Sequence, residues 1–213
     1  NFFMHLKAKL ESIGFISDPD IDPCLFISDK VICLVYVDDT LFFSPDEIFI
    51  NEVIDKLSKM DLELEVEESV AGFFGVHIDW SESGQIKLTQ EGLTKQIIEA
   101  LNITDLPRKF TPATLEPLTK DEHGDPPNST YNYASIIRIL QYLQGHSSLD
   151  KTYAVSQCAR FTHSPKKSHE IALERIGQYL KGTVDKGLIL CPTALEDVDV
   201  FVDADFAELL PYE

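Results

Sequence analysis

Two neighbouring aspartates, Asp38 and Asp39, stand inside the apolar run VICLVYVDDTLFF, and carboxylates are rarely buried unless a cation or a hydrogen-bond network compensates them. Val31 to Val37 predicts one short buried strand and Thr40 to Ser44 a second, so the acids fall at or beside the turn of a hairpin. Both carboxylates are then presented at one end of a sheet. Hard divalent cations take oxygen ligands, and two of them about 4 Å apart activate a hydroxyl and stabilise the leaving oxygen in phosphoryl or nucleotidyl transfer. An ordinary solvated turn also suits this pattern, because Asp is a common turn residue. One detail weighs toward chemistry. Tight hairpin turns prefer Asn-Gly or Asp-Gly, and no glycine lies between Val31 and Ser44. A poor turn sequence beside adjacent acids suggests a conformation kept for function.

The elements around this pair read as an α+β chain. Phe2, Phe3, Leu6, Leu10 and Ile13 have helical spacing, and Gly14 is the stop. Phe15 to Ser17 and Cys24 to Ser28 are strand candidates on either side of DPDIDP. Ser44, Pro45 and Asp46 start a helix that carries Ile48, Val53, Ile54 and Leu57 on one face. Leu62 to Val66 alternates like a half-exposed strand, and Gly72 to Trp80 pairs with Gln85 to Thr89 around SESG as a further hairpin. Glu91 to Leu101 is helical by periodicity. Five prolines between Thr104 and Thr130 (Pro107, Pro112, Pro117, Pro126, Pro127) mark a linker or a long ordered loop. Tyr131 to Gln144, Thr152 to Phe161 and Ser168 to Leu180 predict three helices in sequence. Gly187 to Leu190 and Val198 to Asp203 predict the first strands of a new sheet, with Asp203 and Asp205 at its end.

Charge bounds the partners. The 213 residues carry 18 basic and 36 acidic side chains, a net charge of −18, the wrong sign for a protein whose whole surface grips a phosphate backbone. Lys151 to Lys186 nevertheless holds seven Lys or Arg against three acids. Nucleic-acid contact would therefore concentrate there, through Arg160, Lys166, Lys167, Arg175 and Lys181; a solvated helix face with scattered lysines fits the composition as well. Cys24, Cys33, Cys158 and Cys191 lie too far apart for a zinc site and read as buried free thiols. The six histidines include no pair at helical metal spacing, and no G-x-S-x-G elbow supports acyl transfer. A nucleotide cyclase would need a glycine-rich turn before its acids, which is missing. The opening NFFMHLKAKLESIGF has no signal-peptide pattern, so an intracellular, non-membrane protein is expected. The absence of an initial Met and the abrupt end in LLPYE read as cuts in a longer polypeptide.

Taken in order, DPCLF, YVDD, FFGVHI, LTQEGLTKQIIEAL, YASIIRILQYL, YAVSQCARF, SHEIALERIGQYLKGT and FVDADFA make the chain resemble the Pol region of copia-type long-terminal-repeat retrotransposons over essentially its whole length. YVDD alone is a weak match; the ordered set is specific. The resemblance implies a partial reverse-transcriptase palm with a primer-grip-like hairpin over 1–102, a Pro-rich linker over 103–130, a helical thumb or connection over 131–186, and the truncated start of a ribonuclease H-like domain over 187–213.

On the same basis Asp38 and Asp39 are the catalytic, metal-binding pair of an RNA-directed DNA polymerase. Tyr36 and Val37 lie beside the primer end, and Gly75 belongs to the primer grip. Asp203 is the first ribonuclease H metal ligand, with Asp205 a weaker candidate. The implied cofactor is Mg2+ at a two-metal site, with Mn2+ as a substitute. The implied partners are an RNA template, a DNA primer and the remaining polyprotein segments, in a cytoplasmic virus-like particle or the nucleus. The family supplies a third palm carboxylate and the fingers from upstream sequence, so the fragment alone is expected to be inactive.

The chain departs from the family pattern at three places. Arg138 stands for a helix glycine, Ser148 and Leu149 stand for Arg-Pro before Asp150, and Glu208 stands for the glycine after DADFA. Long charges at close-packed positions would cost several kcal/mol if buried without partners. A decayed or domesticated scaffold that binds nucleic acid or protein without turnover is the alternative reading.

Overall fold

A computed structural model describes residues 2–60, 62, 64–67, 75–81, 83–128 and 130–191. The chain divides into two compact units, Asn1–Ser69 and Val70–Glu213.

In the first unit, helix α1 (Phe2–Ser12) ends where Gly14 takes φ 99°. Phe15 N–H donates to Leu10 O and Gly14 N–H to Glu11 O, the paired bonds of a Schellman cap. Phe15 and Leu10 are both buried in the same core, which completes the motif. Strands β1 (Leu25–Ile27), β2 (Ile32–Tyr36) and β3 (Asp39–Phe43) form an antiparallel sheet in that order. Ile16 bridges to Ile27 beyond its edge. Cys33 and Val35 alternate inward along β2, as one buried sheet face requires. Helix α2 (Glu47–Ser58) is capped by Asp46, whose carboxylate accepts the Ile48 N–H at 2.9 Å; Glu47 and Lys56 sit at the ends that suit the helix dipole. Leu6 and Leu10 of α1, Phe26, Cys33 and Val35 of the sheet, and Val53 and Leu57 of α2 make one core.

The alternation over Leu62 to Val66 does not become a strand among the described residues. Leu62 is buried in the first core, but Leu64 and Val66 are exposed, and residues 62 and 64–67 belong to neither sheet. Period-2 patterning makes a strand only where a ladder partner is available, and no described strand pairs with these residues.

In the second unit, strands β4 (His77–Trp80) and β5 (Ile86–Thr89) form the expected hairpin; Gly75 lies in a turn before β4, and residues 72–74 of the predicted first strand lie outside the described residues. Strand β6 (Leu188–Leu190) pairs with β5, Leu188 opposite Leu88. This segment therefore joins the hairpin's sheet instead of opening a separate one, and the second predicted strand, Val198 to Asp203, lies outside the described residues. Gly187 explains the placement: a Cβ there would lie 2.0 Å from Leu88 O and 2.8 Å from the Thr89 methyl, so only glycine allows so close an approach.

Helices α3 (Glu91–Ala100), α4 (Tyr133–His146), α5 (Thr152–Ala159) and α6 (Lys167–Leu180) pack α3 on α4, α4 on α5, α5 on α6 and α6 on α3. They enclose Ile97, Leu101, Ile103, Ile136, Ile137, Leu140, Leu143, Val155, Cys158, Leu173, Ile176 and Leu180. Helix α4 starts two residues later than the apolar pattern implies because Asn132 caps it, accepting the Ser135 N–H at 2.9 Å. Arg138 lies on the exposed side of α4, so the packing conflict expected there does not arise. Ser148 is buried and Leu149 is exposed, in and beside a 3-10 turn over Leu149–Lys151. Cys33 and Cys158 are buried free thiols, but Cys191 is exposed. Among the described residues no helix is long and apolar enough to cross a membrane.

Candidate functional site

Tyr36 pairs with Asp39 across β2 and β3, leaving Val37 and Asp38 as a two-residue turn. Asp38, Asp39 and Tyr36 are exposed at this tip, and Val37 is 69% exposed. Val37 has φ 55°, a genuine outlier for a β-branched residue. That position, the first of the two turn residues, is where a type II′ turn takes glycine. Holding a non-glycine residue there costs about 1–3 kcal/mol. The two acids thus occupy successive positions, Asp38 in the turn and Asp39 at the start of β3, on a hairpin end whose backbone is strained. Their oxygens are the right donors for a hard cation, which takes about six of them. They supply part of such a set: among the described residues, no three His, Cys, Asp or Glu side chains are grouped to hold a metal ion.

Gly75 immediately precedes Val76 and β4, exposed and at φ 65° with open space around it. Phe73 and Phe74 of FFGVHI, together with Asp203, Asp205 and Glu208, lie outside the described residues.

Comparison with known proteins gives the chain its relatives. The retrovirus-related Pol polyproteins from transposons RE2 and RE1 of Arabidopsis thaliana are 27% and 28% identical to it over 210 residues, which is 97% of this chain and 14% of each polyprotein. This chain is homologous to copia-type retrotransposon Pol polyproteins. It spans about one seventh of their length. The uncharacterized mitochondrial protein AtMg00810 of Arabidopsis thaliana is 29% identical over 177 residues, 82% of this chain and 71% of that protein. No family model and no solved structure matches the chain.

The five cations singled out in this Pol-related chain's basic segment have internal partners. The stretch between α3 and α4 contains no helix or strand among its described residues, yet it is fastened along α6 as a strap. Lys166 Nζ donates to Gly124 O at 3.1 Å, and Lys167 Nζ to Asn128 Oδ1 and to Glu170 Oε2. Arg175 Nη2 donates to Thr111 Oγ1 at 2.7 Å, and Lys181 Nζ to the carbonyls of Ile103, Thr104 and Leu106. Arg160, which is exposed, donates to Gln157 Oε1 and lies over the Phe161 ring.

Two polar clusters escape sequence reasoning. His169 is fully buried and stacked on Phe161, with ring centroids 4.1 Å apart. Its Nδ1 accepts the Lys166 N–H, so Nε2 carries the proton that faces Thr119 O at 2.8 Å. Glu170, also fully buried, accepts the Asn128 N–H at 3.0 Å beside its ion pair with Lys167. Asp125 O accepts the Lys167 N–H at 3.0 Å. The strap's polar backbone is thereby satisfied where it crosses the start of α6. A buried His-Glu pair at a helix start, opposite a proline-rich stretch, is the signal that could have revealed it.

Asp150 accepts hydrogen bonds from Lys151 Nζ at 2.9 Å and from Tyr179 Oη at 2.8 Å. Burial pushes its carboxyl up, but the bonds from Lys151 and Tyr179 outweigh burial and hold it below the ordinary carboxylate value. Burial, and then the bond to Asp150, push the Tyr179 phenol up to about 12. Burial likewise raises the Cys33 thiol to about 12 and the Cys158 thiol to about 11, which makes both poor nucleophiles.

Proposed function

We propose that this chain is a segment of a reverse transcriptase, in which Asp38 and Asp39 help to bind the Mg2+ ions of two-metal nucleotidyl transfer. The observation that carries the reading is the pair of exposed acids at a hairpin end, Asp38 in the two-residue turn and Asp39 next to it on β3, where Val37 is kept at φ 55°. Its support is the homology to Pol polyproteins, which extends over nearly the whole chain. Bound Mg2+ would polarise the attacking hydroxyl and neutralise charge on the leaving oxygen. The chain's own part is to hold two oxygen donors together on a rigid hairpin end, with Tyr36 and Val37 beside the primer terminus and Gly75 in the primer grip.

A third carboxylate is assigned to a palm strand upstream of residue 1, and the RNA template and DNA primer bind the larger polyprotein. Asp203 is proposed as a ribonuclease H ligand. Mn2+ would substitute for Mg2+, in a virus-like particle or the nucleus. Arg160, Lys166, Lys167, Arg175 and Lys181 are proposed to track the nucleic-acid backbone with whatever donor capacity the strap leaves them, so binding to an RNA–DNA duplex is expected to be weak and to fall with salt.

The test is primer extension on an RNA template. The chain rejoined to its upstream fingers and palm sequence is expected to extend in Mg2+ and stop on chelation, while residues 1–213 alone do not extend. No extension by the rejoined protein would remove the polymerase reading.

A further inference from the structure

The part of the strap that crosses the start of α6 is held differently from the rest. Ala113 and Leu118 pack against the helical core. Thr119 to Asn128, with the sequence TKDEHGDPPN, adds no side chain to that core, and Pro126 and Pro127 are exposed. Polar bonds fix this segment instead. Thr119 O faces His169 Nε2 at 2.8 Å, the Asp121 carboxylate accepts from Ser168 Oγ, Gly124 O from Lys166 Nζ, and Asp125 O from the Lys167 N–H. Asn128 accepts Lys167 Nζ through Oδ1 and donates its N–H to Glu170. A stretch without buried apolar contacts belongs to the low-stability end of a structure, so it opens before the helices do.

Two properties make this segment a competitor of a phosphate backbone. It holds Lys166 and Lys167, the adjacent pair among the cations proposed to bind nucleic acid, and both are half-buried. The acceptors it offers their ammonium groups, Gly124 O and Asn128 Oδ1, are neutral, whereas a phosphate oxygen is charged and makes the stronger bond to either. Its own charge has the sign of a phosphate: Asp121, Glu122 and Asp125 stand against the single Lys120, so the closed segment repels an approaching backbone.

We infer that residues 119–128 are an autoinhibitory latch, which when closed holds Lys166 and Lys167 under a cover of negative charge and when open yields them to the phosphates of an RNA–DNA duplex. The inference rests on the nucleic-acid reading of these lysines. By linkage, whatever opens the latch raises affinity, and bound duplex in turn keeps the latch open.

The test measures RNA–DNA duplex binding to the 213-residue chain by fluorescence anisotropy at one fixed salt concentration, together with amide exchange in the presence and absence of duplex. Gly124→Ala loosens the latch without changing any charge, because a Cβ there would lie 2.2 Å from the Asp121 carboxylate and displace it from Ser168. Roughly fivefold tighter binding than the parent's is expected. Ser168→Ala, which removes the donor to Asp121 and is also charge-neutral, should act in the same direction and serves if the first variant does not fold. With Lys166 and Lys167 both replaced by Ala, Gly124→Ala should bring no gain. In the parent, saturating duplex should speed exchange at the Asn128 and Lys167 amides. Equal affinity of the parent and both latch variants, a gain that survives loss of the two lysines, or exchange that duplex leaves unchanged or slows would overturn the latch while duplex binding itself stands. No binding by any variant would overturn the latch and the nucleic-acid reading together.

Discussion

Replacing Val37 by glycine removes the strained backbone of the β2–β3 turn while leaving both acids in place. Glycine adopts φ 55° without a steric penalty but loses more entropy on folding. The expected net result is a gain of about 1 kcal/mol, read as a higher urea midpoint, and an unchanged or lower midpoint would mean that Val37 is not strained. Asp150 and Tyr179 make the opposite ends of a pH profile. Asp150 has a depressed folded pKa, so its contribution is complete above about pH 4 and is lost as pH falls further. Tyr179 has a raised one, about 12, so its contribution is complete below about pH 10 and is lost as pH climbs toward 12. Asp150→Asn should flatten the acid limb of stability against pH, and Tyr179→Phe the alkaline limb. Urea midpoints that retain the parent's limbs would rule the pair out as their source.

Elements were legible where one local signal decided them. Gly14 stops α1, Asp46 starts α2, and the alternation of Cys33 and Val35 reports the buried face of the first sheet. Sequence fails where a distant partner decides. Leu62 to Val66 has strand periodicity but pairs with no strand among the described residues, and Leu188–Leu190 reads as the opening of a new sheet because nothing local reveals that Gly187 can rest on Leu88. Gly187→Ala should therefore unpair β6 while the helices remain, seen as fast amide exchange confined to Leu188–Leu190 and their partners on β5. Protection equal to the parent's would show that the close approach is dispensable.

The proline-rich stretch is likewise legible as irregular but not as fixed, because its fasteners are on α6. Glu170→Ala leaves the Asn128 N–H without its acceptor and removes one of the two acceptors of the Lys167 ammonium, which keeps Asn128 Oδ1, so about 1–2 kcal/mol of destabilisation is expected, with faster exchange at Asn128. A loss below about 0.5 kcal/mol would mean that Glu170 does not hold the strap.

Across the whole chain, a net charge of −18 sets the terms for any nucleic-acid partner. The local excess of cations after Lys151 was visible in the sequence, whereas their engagement with the strap was not, since Gly124, Thr111 and the carbonyls of residues 103 to 106 lie about 40 to 80 residues away along the chain. Reversing charge at Lys166 and Lys167 would therefore loosen the strap as well as weaken binding, and strap exchange must be measured beside affinity. The acid pair was the clearest feature in the sequence, because a tight turn between apolar strands ordinarily carries a glycine and this one has none. The positive φ at Val37 is what the sequence could only suggest.

The decisive measurement is single-nucleotide extension by the chain rejoined to its upstream palm and fingers, comparing the parent with Asp38→Asn, Asp39→Asn and the exposed control Asp20→Asn. Two-metal chemistry predicts that both hairpin substitutions lower the rate by at least about 100-fold while the control keeps the parent's rate. Extension by Asp38→Asn and Asp39→Asn at the parent's rate would contradict the assignment of these carboxylates.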